Sequence, residues 1–357
     1  MKIRVPLGIA TAVMMILAAM VLPVSAEVVP MCTQTPVDGE DVETLARIAT
    51  GGGEIPIVLC KWEADTTGSW EDGDPTHAVP GSQFLPPVTY EGTKTVKYYA
   101  VVFDDEENGD VNVVSWDVSQ PENCWGNGSF VYQVMGTKVN NQDQAVTLFQ
   151  RALDRGLLTV AEGYDANTIL TEYLEKGTAA VWVGQADLCY CMPAGDYCVE
   201  ANAVDHNNNW AEPLYNTFEY VPVTAFDIDF ASVNYGSVNI NVPKWVAGNT
   251  IFSEGDNRPT VRNIGNTYLQ MTVVQDDMQL GESLDGWNVE WGARMGNDNA
   301  NAVFYEPYEP VTLPNALTLC DQDELDFYIE VFKGKTGEKT GTMTLGAVQS
   351  CGSEVPT

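Results

Sequence analysis

Two stretches of this chain gather hard oxygen donors at loop spacing. Asp104, Asp105, Glu107 and Asp110 follow a run of alternating apolar residues, and Asp205, Asn207 and Asn209 follow another. Carboxylate and amide oxygens in such numbers are what Ca²⁺ takes, about six to eight at a time and from separate loops where these lie side by side. The expected cofactor is therefore Ca²⁺, held by those seven residues. No loop has EF-hand spacing. A second acidic set, Glu63, Asp65, Glu71, Asp72 and Asp74, is punctuated irregularly and reads as a solvated turn.

Catalytic chemistry is poorly supplied. The histidines are His77 and His206 alone, so a Ser-His-Asp or Cys-His device would have to use one of them. H-E-x-x-H, G-x-S-x-G and the Rossmann glycines are missing, and Gly334-Lys335-Thr336 lacks the upstream glycine of a phosphate loop. Asp276 with Asp277, and Asp227 with Asp229, are nominal carboxylate pairs for glycoside hydrolysis, but an acidic chain produces such pairs by chance. The reading is a chain that is not an enzyme, with a secreted glycoside hydrolase as the catalytic alternative.

The cysteines are Cys32, Cys60, Cys124, Cys189, Cys191, Cys198, Cys320 and Cys351. An even number in an exported chain favours disulfides, and four bridges are expected. Cys320 and Cys351, far from the rest, are expected to pair. Cys189 and Cys191 lie on one strand face and need separate partners, with Cys198 across a turn suited to one of them. A zinc site at Cys189, Cys191 and Cys198 is the alternative.

Export follows from the amino terminus. Lys2 and Arg4 precede an apolar run over 9–22 and then Val24-Ser25-Ala26, so residues 1–26 read as a signal peptide. The formal charge is −33, from 50 acidic against 17 basic residues, which excludes nucleic acid as a partner. With 45% hydrophobic residues the chain still folds, and its carboxylates coat a surface. The mature chain carries no span for membrane insertion, and it is expected outside the cell or on its surface.

The elements that position these residues are mostly strands. Segments 55–62, 95–103, 111–118 and 130–135 are rich in β-branched and aromatic residues and separated by Gly, Pro, Asp and Asn. Helical periodicity enters at 141–177, where Asn141 and Asp165 are caps and Gly156 and Gly177 are stops. Strand patterning resumes at 179 and, beyond 225, continues to 351. The architecture expected is mainly β: two β-sandwich, immunoglobulin-like domains. The first spans 54–222 with an inserted α-helical hairpin at 141–177. The second spans 223–351, with a flexible lead-in at 27–53 and a tail at 352–357.

The stretch TVKYYAVVFDDEENGDVNVVSWDVSQPE (95–122) and AGDYCVEANAVDHNNNW (194–210), with its Y-x-V-x-x-x-A-x-D strand, resembles PKD-like and related immunoglobulin-like domains of secreted archaeal and bacterial surface proteins. VAGNTIFSEGDNRPTVRNIGNTYLQMTV (246–274) is similar to a run in camelysin-type matrix fibre proteins. These resemblances imply fold and location. The expected function is a secreted, non-catalytic structural or adhesive component of the cell surface or of an envelope, sheath or filament. Its expected partners are copies of itself or other surface proteins, joined by strand addition at a sheet edge. The alternative is a carbohydrate-binding module that takes polysaccharide on Trp287 and Trp291, which are four apart on one strand. Asn127-Gly128-Ser129 is a glycosylation sequon in a Gly-rich turn.

Overall fold

The computed structural model describes residues 55–65, 82–105, 110–120, 122–123, 126–127, 130–255 and 258–350. The expected signal peptide, lead-in and tail lie outside them, as do Cys32, Glu71, Asp72, Asp74, Glu107, Cys124 and Cys351. At the sequon, only the backbone of Asn127 is described, paired between 122–123 and 126–127. Among the described residues no helix is long and apolar enough to cross a membrane.

Strands of three or more residues are β1 Ile57–Asp65, β2 Thr93–Phe103, β3 Val111–Ser119, β4 Phe130–Met135, β5 Ala179–Cys189, β6 Gly195–Asp205 and β7 Leu214–Tyr220 in the first part of the chain. One antiparallel sheet is built on the order β5-β2-β1, and a second on β7-β6-β3-β4. Their facing sides close a core of Val96, Tyr98 and Ala100 from β2 against Trp116 and Val118 from β3 and Tyr197, Val199 and Phe218 from β6 and β7. Each large side chain so buried contributes about 1.5–3 kcal/mol.

A second core covers the outer face of the first sheet. Helix α1, Gln142–Asp154, is capped by Asn141, whose Oδ1 accepts from the Gln144 amide at 3.0 Å. Its buried Ala145, Phe149 and Ala152 recur at helical spacing and pack on Trp62, Tyr99 and Val101. Trp62 stacks on Tyr99 at 4.9 Å and meets Phe149 edge-on. The second helix, α2 Ala166–Thr168, starts from an Asp165 cap and runs directly into a π-helical turn, Ile169–Leu174. The helices thus lie against the sheet as a third layer. Alternate residues of β2 serve both cores, which is why YYAVVF reads as an almost unbroken apolar run.

The rest of the chain forms β8 Phe226–Ile228, β9 Lys244–Val246, β10 Thr260–Asn263, β11 Tyr268–Gln275, β12 Val289–Met295, β13 Val303–Tyr305, β14 Val311–Leu317, β15 Gln322–Val331 and β16 Met343–Ser350. One sheet runs β8-β10-β15-β12-β13, with β9 also on β15, and it faces a sheet of order β14-β11-β16. Among the described residues no strand pairing crosses from the first pair of sheets to the second. Leu269, Met271 and Val273 of β11 pack against Trp291, Ala293 and Phe327. The edge strand β16 differs, because its Met343, Leu345 and Ala347 stay only partly buried.

The two parts are strapped together. Cys191, in the β5–β6 turn, is bonded to Cys320, just before β15. The Ala194 amide donates to the Asn266 carbonyl at 3.1 Å, and the Asn266 side chain holds the Val221 carbonyl and the Val223 amide. The expected Cys320–Cys351 pairing is therefore corrected. Proximity in sequence was the wrong guide, since the turn after β5 packs onto the loop that carries Cys320. Among the described residues Cys60 and Cys189, also expected in bridges, are free thiols. Cys60 points into the helix-covered core, and burial pushes its thiol well above the usual range. Cys198 is disulfide-bonded, so it is not the partner of Cys189.

Candidate functional site

Strand β2 ends at Phe103 and β6 at Asp205, and β3 begins at Val111. The sandwich brings these ends to one pole, so the two acidic loops meet. Carboxylate oxygens of Asp104, Asp110 and Asp205 lie within 4.8 Å of one another. Asp104 and Asp205 are buried, at 3% and 0% exposure. Asp110 Oδ2 is buried and has no hydrogen-bond partner among the described residues.

The second loop is built around Asp205. Its Oδ1 accepts from the amides of Asn207 and Asn209, each at 2.8 Å, and its Oδ2 accepts from Asn209 Nδ2 at 2.7 Å. Asn208 takes the left-handed conformation this turn needs, with φ 64. The His206 amide donates to the Asp110 carbonyl at 3.0 Å and ties the loops together. Of the expected ligands, Asp104, Asp110 and Asp205 converge. Asn209 is buried behind Asp205, while Asp105 and Asn207 are exposed. Three carboxylates this close repel one another unless a proton or a cation lies among them.

The other acidic candidates serve the fold. Asp227 pairs with Arg262 at 2.7 Å, and Asp229 accepts from the amides of Ser253 and Thr260. Asp276 caps Met278 and Thr342, and Asp277 caps Gln279 and Gly281. These backbone amides favour the ionised carboxylate of Asp277 and hold it below its ordinary range despite the opposing effect of desolvation. The expected shared face of Trp287 and Trp291 is also corrected. Asn288 breaks the strand between them, Trp291 is a fully buried core residue, and Trp287 lies in a separate two-residue strand beside Tyr308.

A third constellation was not foreseen. The sequence pattern places Glu63 and Asp65 in a solvated turn. Asp65 instead pairs with Lys94 at 3.3 Å, and Glu63 turns inward with Lys61. A bulge after Val58 sends Leu59, Cys60, Trp62 and Ala64 toward the helices and leaves Lys61 and Glu63 facing the second sheet. Both charged side chains are 0% exposed, and Lys61 Nζ lies 2.9 Å from Glu63 Oε1. Lys61 Nζ also donates to the Val199 carbonyl at 2.9 Å and to Asn216 Oδ1, while Asn216 Nδ2 donates to Glu63 Oε2 at 2.5 Å. Burial pulls the Lys61 ammonium down to about 8, against the opposing pull of Glu63. The available signal was the wholly apolar run before Lys61, which marks a strand buried on both faces.

No family model matches the chain, and no curated protein matches it. Solved structures to which the chain shows a distant likeness include the C-terminal domain of the Streptococcus agalactiae antigen I/II polypeptide BspA, at 12% identity and TM-score 0.22 over 83% of this chain and 96% of that one. The C-terminal domain of the Streptococcus pyogenes antigen I/II-family protein AspA matches at 14% identity and TM-score 0.21, over 82% and 96%. The CsuC–CsuE chaperone–tip adhesion subunit complex of Acinetobacter baumannii Csu pili matches at 9% and 0.30, over 76% and 99%. Likeness at this level leaves function to be argued from the geometry of this chain.

Proposed function

We propose that this chain is a secreted, non-catalytic structural or adhesive component of a cell surface or extracellular assembly. The observation that carries the reading is the strapped pair of sandwiches, in which the Cys191–Cys320 bond and the Asn266 contacts fix one half on the other. Such a join suits a spacer or subunit that transmits position and force. The partners in this reading are copies of the same chain or other surface proteins, and the half-covered β16 offers them a strand edge. The carbohydrate reading has lost its Trp pair. Immunogold labelling of intact cells, with mass spectrometry of the isolated envelope, tests the proposal. Antigen confined to the cell interior would overturn it.

Within this reading Ca²⁺ sits among Asp104, Asp110 and Asp205 and stiffens the loops at that pole. Support comes from the convergence of three carboxylates and from the buried Oδ2 of Asp110, which has no hydrogen-bond partner among the described residues. Calorimetric titration with Ca²⁺ is the test, and absence of binding heat together with an unchanged melt under chelator would remove the metal.

A further inference from the structure

The geometry points to a covalent amide bond between Lys61 Nζ and Asn216 Cγ, formed within the folded chain with Glu63 as the proton carrier. Lysine is almost never fully buried, and here it is placed with its nitrogen against a carboxamide and a carboxylate that touches both partners. Three ingredients of acyl transfer are thus assembled: an amine nucleophile, an acyl group and an acid/base between them. The site is dry. Tyr98 and Phe218 of the inter-sheet core are buried near it, and the Tyr98 and Tyr132 hydroxyls pair at 2.6 Å, close enough for the Glu63 charge to be felt by both phenols.

The reaction balances without a cofactor. Glu63 takes a proton from the Lys61 ammonium, and desolvation makes that transfer easier than in water. The freed lone pair attacks Asn216 Cγ, and the carbonyl oxygen carries the developing charge. Glu63 passes that proton to the amide nitrogen, the C–N bond breaks, and the departing ammonia takes the surplus proton left on the Lys61 nitrogen and leaves as ammonium. One amide replaces another, nothing is oxidised or reduced, and Glu63 ends as it began. Effective concentration supplies the drive, since folding holds the groups in contact across 155 positions of sequence. The product ties β1, the first strand of the first sandwich, to β7, its last.

Mass spectrometry of the full chain, reduced and alkylated, tests this. The wild type is expected to be lighter than its sequence by one ammonia, about 17 Da, through condensation of the two side chains. A protease map must contain one branched peptide joining Lys61 to Asn216, which separates this loss from succinimide formation at Asn-Gly sites. E63Q and N216A should show the full sequence mass and no branched peptide. Folded wild-type protein without that peptide overturns the proposal whether or not the variants fold. A branched peptide that persists in E63Q overturns the role of Glu63.

Discussion

Replacing Lys61 by Met together with Glu63 by Leu removes the reactive pair without leaving a buried charge alone. For an ordinary buried ion pair such a replacement is neutral or stabilising by about 1–4 kcal/mol, because the desolvation cost disappears. A crosslink reverses the sign. Positions 61 and 216 are 155 apart, and closing a loop of that size removes about 17 cal/mol/K from the unfolded chain, or about 5 kcal/mol at 25 °C. A disulfide inside the loop that halves its free length lowers this figure by only about 0.6 kcal/mol. For a unit of this size each kcal/mol moves the melting temperature by about 2–4 °C, so the double variant should melt about 10–20 °C lower. Circular dichroism melts of the two full chains measure this. A double variant that melts at or above the wild type refutes the claim that β1 and β7 are covalently joined.

Titration gives an independent expectation. In N216A no bond forms and Lys61 remains a buried amine, with its pKa near 8 in the folded chain against 10.5 in the unfolded one. The unfolded state then holds more protons between those values, so stability should rise with pH from about 8 to 9.5, by up to about 2 kcal/mol. The wild type, whose Lys61 nitrogen is an amide, should lack that rise in urea titrations. At the acidic pole, D205A should cost about 3 kcal/mol by chemical denaturation, because it orphans three hydrogen bonds to one buried carboxylate. D110N should fold normally but lose most of any Ca²⁺ binding seen by calorimetry. C320S should destabilise the chain by about 2–4 kcal/mol under oxidising conditions, whereas C189S should stay within about 1 kcal/mol of wild type, as thermal melts would show.

The acidic loops were legible because each continues a strand whose alternation is unmistakable, and sandwich topology puts strand ends together at a pole. The helices were legible from Asn141, Asp165 and their glycine stops, although the π turn at Ile169–Leu174 was not. Cysteine pairing was not legible, since it depends on how the turn after β5 docks on the loop before β15. Trp291 and Trp287 misled for a local reason: Asn288 interrupts the two-residue alternation on which the shared face was argued. The Lys61–Glu63–Asn216 site was hidden more deeply. Lys-Trp-Glu-Ala-Asp alternates charged and apolar residues as a half-solvated strand does, and only the helix layer over one face, with the second sheet over the other, turns the charged side inward.

The positions of the two straps explain one another. Ile57 of β1 pairs with Phe103, while Cys189 of β5 pairs with Thr93, so β1 enters at the pole remote from the Cys191–Cys320 bond. A pull applied ahead of Ile55 and resisted beyond Ala225 would strip β1 from β2 by breaking backbone hydrogen bonds, the weakest links available. An amide from Lys61 to Asn216 diverts that load to β7, which leaves at Tyr220 directly into the segment held by Asn266. The strands between, which carry the acidic pole and the helix layer, are then spared the tension. A spacer that must keep its shape under force has reason to join its first strand to its last, and a buried lysine beside a carboxamide is chemistry by which an unaided chain can do so.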